Sequence, residues 1–288
     1  MEKDSIEEQG IANVRRSFIW NSRLLKCMGI WPLQNYVPVF LFFFIYLSLH
    51  CCLTLAELWW APKTVENVVT NIAENIVLTM TLTKITIARM NREALRKLFI
   101  ELEEYSVTEK YETKEEKLTF VNYTKLPPYF IIIIGSSMTV AEVLYYLARV
   151  IEGIQFAKQN NSMGYKLPYK TLAIMELRDS RIYTMICAYQ IIFVPSIVLG
   201  YVGFDCMFVN LSIQVITQFS TLSYKVKAVL DNSKNHREGM KRLVQRHYRL
   251  IRLTERLEDN FNLPIMQQML GTTVHICISG YFVLTDLL

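Results

Sequence analysis

The sequence holds no HExxH motif, no Cys/His cluster and no Gly-rich phosphate-binding loop. It also lacks a nucleophile beside its base and paired carboxylates in a cleft motif. Enzymatic chemistry and zinc binding therefore have no local basis, and no cofactor is expected. Six cysteines, Cys27, Cys51, Cys52, Cys187, Cys206 and Cys277, lack metal-ligand spacing. Most fall inside apolar runs, where cysteine behaves as a small hydrophobe, so a disulfide framework is not expected either. Residues 1–10 carry Glu2, Asp4, Glu7 and Glu8 and no apolar stretch, so no cleavable signal peptide is expected and the first apolar run must serve as the anchor.

What the chain has in quantity is apolar surface. Hydrophobic residues make up 52% of 288, with 16 Tyr and 15 Phe, and the mean hydropathy is +0.21. They are clustered: Val37–Leu58 and Pro128–Leu147 each approach the roughly 20 residues of a bilayer-crossing helix. A soluble all-α protein is the bland alternative. The expected fold class is instead an all-α membrane protein, a polytopic bundle of five spans at about residues 37–60, 65–88, 127–154, 182–222 and 264–288. The first ends in Trp59 and Trp60, a pair suited to a membrane interface. The second is interrupted by Asn71, Glu74, Asn75 and Lys84, so one of its sides must face protein or a watery cavity.

The apolar region from Ile182 to Leu222 admits two readings, since about forty residues at 1.5 Å each span roughly twice a 30 Å core. Gly200, Gly203 and Asp205 could mark the turn of a hairpin. Charge decides for one tilted or kinked helix whose lower part projects beyond the membrane. With one helix, alternate segments hold 23 Lys and Arg against 6, a positive-inside bias that puts the N-terminus in the cytoplasm. Residues 1–36, 89–126 and 223–263 are then cytoplasmic and 155–181 form an outer loop. The net charge of +5 is explained by this placement, so no nucleic-acid partner is expected. Of the sequons at Asn122, Asn160 and Asn210, only Asn160 lies outside in this layout and should accept a glycan.

Two cytoplasmic amphipathic helices follow from spacing. Leu95, Leu98, Phe99, Leu102 and Tyr105 recur at threes and fours, as do Leu243, His247, Leu250, Thr254, Leu257 and Phe261 opposite a face of Arg242, Arg246, Arg249 and Arg256. The second helix can lie on anionic lipid, or pack below the membrane against the projecting fourth helix or other subunits.

The string from Phe18 through Asn21, Lys26, Gly29 and Trp31 to Pro32 resembles the opening of insect odorant receptors. Lys166-Leu-Pro168-Tyr169, Gly203-Phe-Asp205 with Gln218-Phe219, and Leu243 to His247 through Glu255 and Glu258 to Phe261 resemble that family in the same order. So does Gln267-Gln-Met-Leu-Gly271 with Cys277 and Gly280. The resemblance implies a seven-span subunit of the tuning type with a cytoplasmic N-terminus. Such a subunit binds volatile odorants and assembles with an obligate co-receptor into a tetrameric ligand-gated cation channel in the plasma membrane of olfactory sensory neurons. Nothing in the sequence matches the family's sixth and seventh spans, so the chain is expected to stop before the pore. The outer loop after Tyr169 departs from the family pattern. A pore-less regulatory or non-functional product is the alternative. A G-protein-coupled receptor is a weaker one, because neither Asp-Arg-Tyr nor Asn-Pro-x-x-Tyr occurs.

The resemblance implies an odorant pocket among the outer halves of the second to fourth spans. The candidates there are Ile72, Ile76, Thr79, Tyr145, Tyr146, Arg149, Ile186, Tyr189, Gln190 and Phe193, with lipid contact or core packing as the bland reading of each. Glu142, Arg149 and Glu152 share one face of the third span, where an Arg149–Glu152 pair is expected. Glu74 and Lys84, ten apart, point to different faces and are poor partners. His275 reads as a packed, hydrogen-bonded residue.

Overall fold

The structure is a computed structural model describing residues 2–60, 64–109, 111, 113–159, 164–173, 177–231 and 236–287. Asn160 lies outside the described residues. The described residues are helical with irregular connections. They form α1 (Glu2–Cys27), α2 (Val37–Trp60), α3 (Val65–Met90), α4 (Arg92–Thr108), α5 (Lys114–Thr124) and α6 (Leu126–Gln159). After the connecting loop come α7 (Ser180–Gln190), α8 (Phe193–Ser196), a π-helical segment (Ile197–Val202), α9 (Gly203–Asp231) and α10 (His236–Leu287).

Local chemistry sets the boundaries. α1 ends where the Ile30 N–H donates to the Leu25 carbonyl and the Gly29 N–H to that of Lys26, both at 3.0 Å, a Schellman-type stop. Gly29 has φ +69°, and a Cβ there would lie 2.6 Å from the Phe40 backbone nitrogen. Only glycine fits this turn, which lays Ile30 and Trp31 back into the core. Thr64, Thr113 and Asp179 cap α3, α5 and α7 by accepting from the N–H groups of Asn67, Glu116 and Arg181.

The fourth apolar region runs without a hairpin as successive helical segments from Ser180 to Leu230, with a turn at Ile191 and Ile192. Pro195 has no N–H to donate and crowds the preceding turn, and the helix passes through the wider π turns of Ile197–Val202 just beyond it. This run is the axis of the bundle: 61% of its most apolar stretch is buried, against 22% for α2 and 11% for Lys114–Gln159. Outward faces of α2 and α6 expose Phe42, Ile45, Ile133 and Leu144, as apolar solvent permits. Among the described residues, these three helices are long and apolar enough to cross a membrane by length and composition.

The basic helix and the following apolar stretch are a single element, α10, with Pro264 inside it. Its lower part packs on α9 and α4. The expected stripe is corrected in detail: Leu243, Leu250, Leu253, Leu257 and Phe261 are buried, whereas His247 and Thr254 are exposed. Both series keep the 3.6-residue period, but the packed face is rotated part of a turn toward Leu253, because the period alone does not say which side of the stripe meets α9. Glu109 lies between Lys225 of α9 and Arg246 of α10, forming ion pairs with both. Tyr111 stacks on Phe120 beside this cluster, and burial pushes its phenol well above the ordinary tyrosine range.

The ionisable groups of α3 are turned inward. Lys84, 1% exposed, donates to Asp205 of α9 at 2.7 Å and to Gln268 of α10 at 2.8 Å. Its ammonium sits 3.3 Å from the Tyr201 ring centre. Removing one partner leaves the other charge buried and uncompensated, which costs about 3–5 kcal/mol. Asp205→Ala should therefore lower the thermal unfolding midpoint in detergent markedly, and Lys84→Met with Asp205→Leu should recover most of it. Equal midpoints for wild type and Asp205→Ala would show that the pair is not structural.

Candidate functional site: an aromatic cavity under the α6–α7 loop

The loop between α6 and α7 is held down by backbone-directed bonds. The Gln190 amide is fully buried, accepts from the Tyr169 N–H at 3.2 Å and donates to the Tyr169 carbonyl and the Thr171 hydroxyl at 3.1 and 2.8 Å. The Leu172 N–H donates to the Leu53 carbonyl, tying the loop to α2. The Lys170 N–H donates to Glu74 at 2.8 Å and its ammonium to Asn67 at 2.9 Å. Gly153 lets α6 approach the loop so closely that a Cβ would lie 2.2 Å from the Lys166 carbonyl oxygen.

These ties place Tyr169, 2% exposed, at the centre of an aromatic cluster. Its ring lies 4.6 Å from Phe193, 5.9 Å from Tyr145 and Tyr146, and 6.1 Å from His50. Burial and the nearby Glu142 and Glu74 carboxylates push the Tyr169 phenol far up, so it stays protonated and able to donate.

Directly beneath lies a cavity of about 570 Å³. α3 contributes Val69, Thr70, Ala73, Glu74, Val77 and Met80; α6 contributes Met138, Ala141, Glu142, Tyr145 and Arg149. Phe193, Ile197 and Tyr201 come from α8 and the π segment, and Thr272, His275, Ile278 and Ser279 from α10. The π segment aims both Ile197 and Tyr201 inward, a use of irregular helix common at functional sites. A smaller polar vestibule of about 190 Å³ sits above, bordered by Glu57, Glu152 and Lys166 and sharing Glu74, Arg149 and Tyr169 with the cavity. Glu74 accepts from the Tyr145 hydroxyl at 3.0 Å, and Arg149 pairs with Glu152 at 3.0 Å, the pairing that their spacing predicts.

Of the ten residues expected from sequence, Tyr145, Arg149 and Phe193 line this cavity. Ile76 lies instead where a Cβ on Gly271 of α10 would meet it; Ile72 is half-buried and Thr79 exposed, both off the cavity. The cavity uses the α3 face one position round, which is about 100° on a helix. Tyr146 and Tyr189 stand behind the wall: the Tyr146 hydroxyl donates to the Cys187 carbonyl at 2.7 Å, and the Tyr189 carbonyl accepts from Tyr46 at 3.0 Å. Ile186 does not border it, and Gln190 serves the loop. His275 is corrected, since its Nδ1 is buried at the cavity without a hydrogen-bond partner. Tyr169, Glu74, Tyr201 and the α10 residues were not among the candidates. The inward acid on α3 and the Lys-Leu-Pro-Tyr string were the available signals. Among the described residues no group of three His, Cys, Asp or Glu side chains could hold a metal ion.

The family model described as "7tm Odorant receptor" matches residues 64–285. The chain belongs to the odorant receptor family. Among solved structures, it is similar to the insect olfactory receptor OR5 from Machilis hrabei, with a TM-score of 0.75 at 13% identity, covering 94% of this chain and 72% of that one. It is similar also to the same receptor in complex with eugenol, at a TM-score of 0.75 and 12% identity, covering 95% and 72%. At these identities the likeness concerns the fold. No curated protein matches the chain. This odorant receptor thus combines the family's helical bundle with a partly open cavity under the strapped α6–α7 loop.

Gln190→Ala should loosen the strap. Amide hydrogen exchange over residues 169–172 is expected to rise by about tenfold or more, given three lost hydrogen bonds of roughly 1 kcal/mol each, with α4 and α9 amides unchanged. Unaltered protection at Tyr169 would remove Gln190 from that role.

Proposed function

We propose that this chain is the odorant-sensing part of a tuning-type insect odorant receptor subunit, which takes small volatile ligands into the cavity beneath Tyr169. A complete subunit of this kind works with the odorant co-receptor, in a hetero-tetramer, as a ligand-gated cation channel of the olfactory neuron plasma membrane. The cavity carries the reading. Its wall is mainly aromatic and aliphatic with a few polar groups, the composition of a small-molecule site. Family membership and the eugenol complex of a protein with the same fold support it.

The mechanism that fits is a change in helix packing. The cavity is bounded by α3, α6, α8, the π segment and α10, so a ligand that fills it bears on all of them at once. Tyr201 links this space to Lys84, and Lys84 to Asp205 and Gln268. A ligand preferring one arrangement of α10 against α9 therefore shifts the population toward it. Coupling of that shift to a gate belongs to the complete channel.

In a full-length receptor co-expressed with the co-receptor, Ala73→Trp should fill the cavity. It should reduce odorant-evoked cation current by about tenfold or more at unchanged surface level, a loss on the scale of overpacking a ligand site. Ile186→Ala, off the cavity, should leave the current nearly as it was. Full current with Trp at 73 would overturn the site.

We also propose the layout of five spans, a cytoplasmic N-terminus and an outer loop at 155–181, supported by the distribution of basic residues. Asn210 is fully buried and accepts from Ser17 at 3.0 Å, which leaves no room for a glycan there. Asn160→Gln should abolish the glycosidase-sensitive mobility shift of the protein in cells. A shift abolished instead by Asn122→Gln would invert the orientation.

A further inference from the structure

One carboxylate in the cavity wall has no cation beside it. Glu142 of α6 makes no ion pair among the described residues, while its charged neighbours are engaged. Glu74 accepts from Tyr145 and Lys170, and Arg149 is held by Glu152, which also meets Lys166 at 3.6 Å. The group facing Glu142 is the Tyr169 hydroxyl, which is buried and completes no well-formed hydrogen bond. From α10, the His275 Nδ1 reaches the same cavity, buried and equally unserved. Three polar groups from three separate elements thus border one space whose remaining wall is mainly apolar. An ionisable side chain at membrane depth is costly unless it finds a partner, and such residues characteristically face functional cavities. Unserved buried donors and acceptors carry a similar penalty.

We propose that the cavity selects ligands bearing a hydrogen-bond donor, a hydroxyl or an ammonium head on an apolar body, seated against Glu142. This rests on the odorant-binding reading above and names the ligand chemistry for that site. In its charged form the Glu142 carboxylate accepts hydrogen bonds and donates none, and a bound donor or cation favours that form. A hydroxyl satisfies it, and an ammonium adds charge pairing. Tyr169 and His275 then meet the remaining lone pairs or protons of the head group. An ether of the same shape brings its own lone pairs toward the carboxylate and leaves it unserved. Sites built around a polar contact discriminate strongly against the analogue lacking the partner atom, whereas an added methylene changes affinity little.

Three probes share one body: 3-phenylpropan-1-ol, 3-phenylpropylamine and the methyl ether of that alcohol. Their affinities are to be measured by calorimetry on the full chain in nanodiscs. The alcohol, the amine or both should bind about tenfold or more tighter than the ether. Glu142→Leu should bring all three within about twofold while ether binding persists, which also shows that the variant is folded. Glu142→Gln keeps an acceptor oxygen without charge. It should preserve an alcohol preference and abolish an amine preference, which separates the two head groups. Equal affinities of the three probes for the wild-type chain would overturn this proposal and leave odorant binding standing. Absence of binding by every probe would overturn both.

Discussion

Lys84 is the charge on which the bundle turns. An ammonium within an apolar phase must find partners, and Lys84 finds them on three other segments: Asp205 on α9, Gln268 on α10 and the Tyr201 ring on the π segment. The contact fixes how α3, α9 and α10 sit together at one level. Apolar packing between such helices is tolerant of rotation, since lipid tails match leucine side chains in polarity. A buried ion pair is not tolerant, because a small rotation leaves a charge unpaired. The same constraint places Tyr201 at the cavity wall and so sets one boundary of that space.

The rest of the interior repeats this logic with neutral groups. Thr54 donates to Asn75, and Asn71 to the Thr54 carbonyl, locking α2 to α3. Ser17 donates to Asn210 and Ser106 to Gln214, docking α1 and α4 on α9. Each bond crosses between helices and has few alternative registers. The α6–α7 loop is seated by the same means, with Gln190 reading the backbone of Tyr169 instead of its side chain. Tyr169 is consequently both a roof over the cavity and the core of the aromatic cluster behind it.

Much of this was legible along the chain. The apolar runs, the fourth apolar region without a hairpin and the inward need of Glu74 and Lys84 follow from counting residues and placing charges. The wall of the cavity was less legible. Candidates on α3 were placed one position away from the observed face, because periodicity defines a stripe but not which neighbour it meets. Tyr146 and Tyr189 have the composition of ligand contacts, yet their polar atoms at the wall serve backbone carbonyls or lie buried. Arg246 and Leu253 lie on the packed face of lower α10 where His247 and Thr254 were expected, a drift of the same origin.

The sequence by itself determined that the protein is a helical bundle with spans apolar enough for a bilayer, since hydropathy and charge act locally and are written in composition. It determined also the family, through short strings in fixed order that tie turns and contacts to particular residues. The tertiary structure decided what those elements enclose. Which face of α3 looks inward, how far the loop carrying Tyr169 reaches and that α10 closes the cavity with His275 all depend on contacts between residues from 21 to 184 apart in the chain. These arrangements are set by a few buried polar contacts, whose partners in sequence space are too remote for any local pattern to pair.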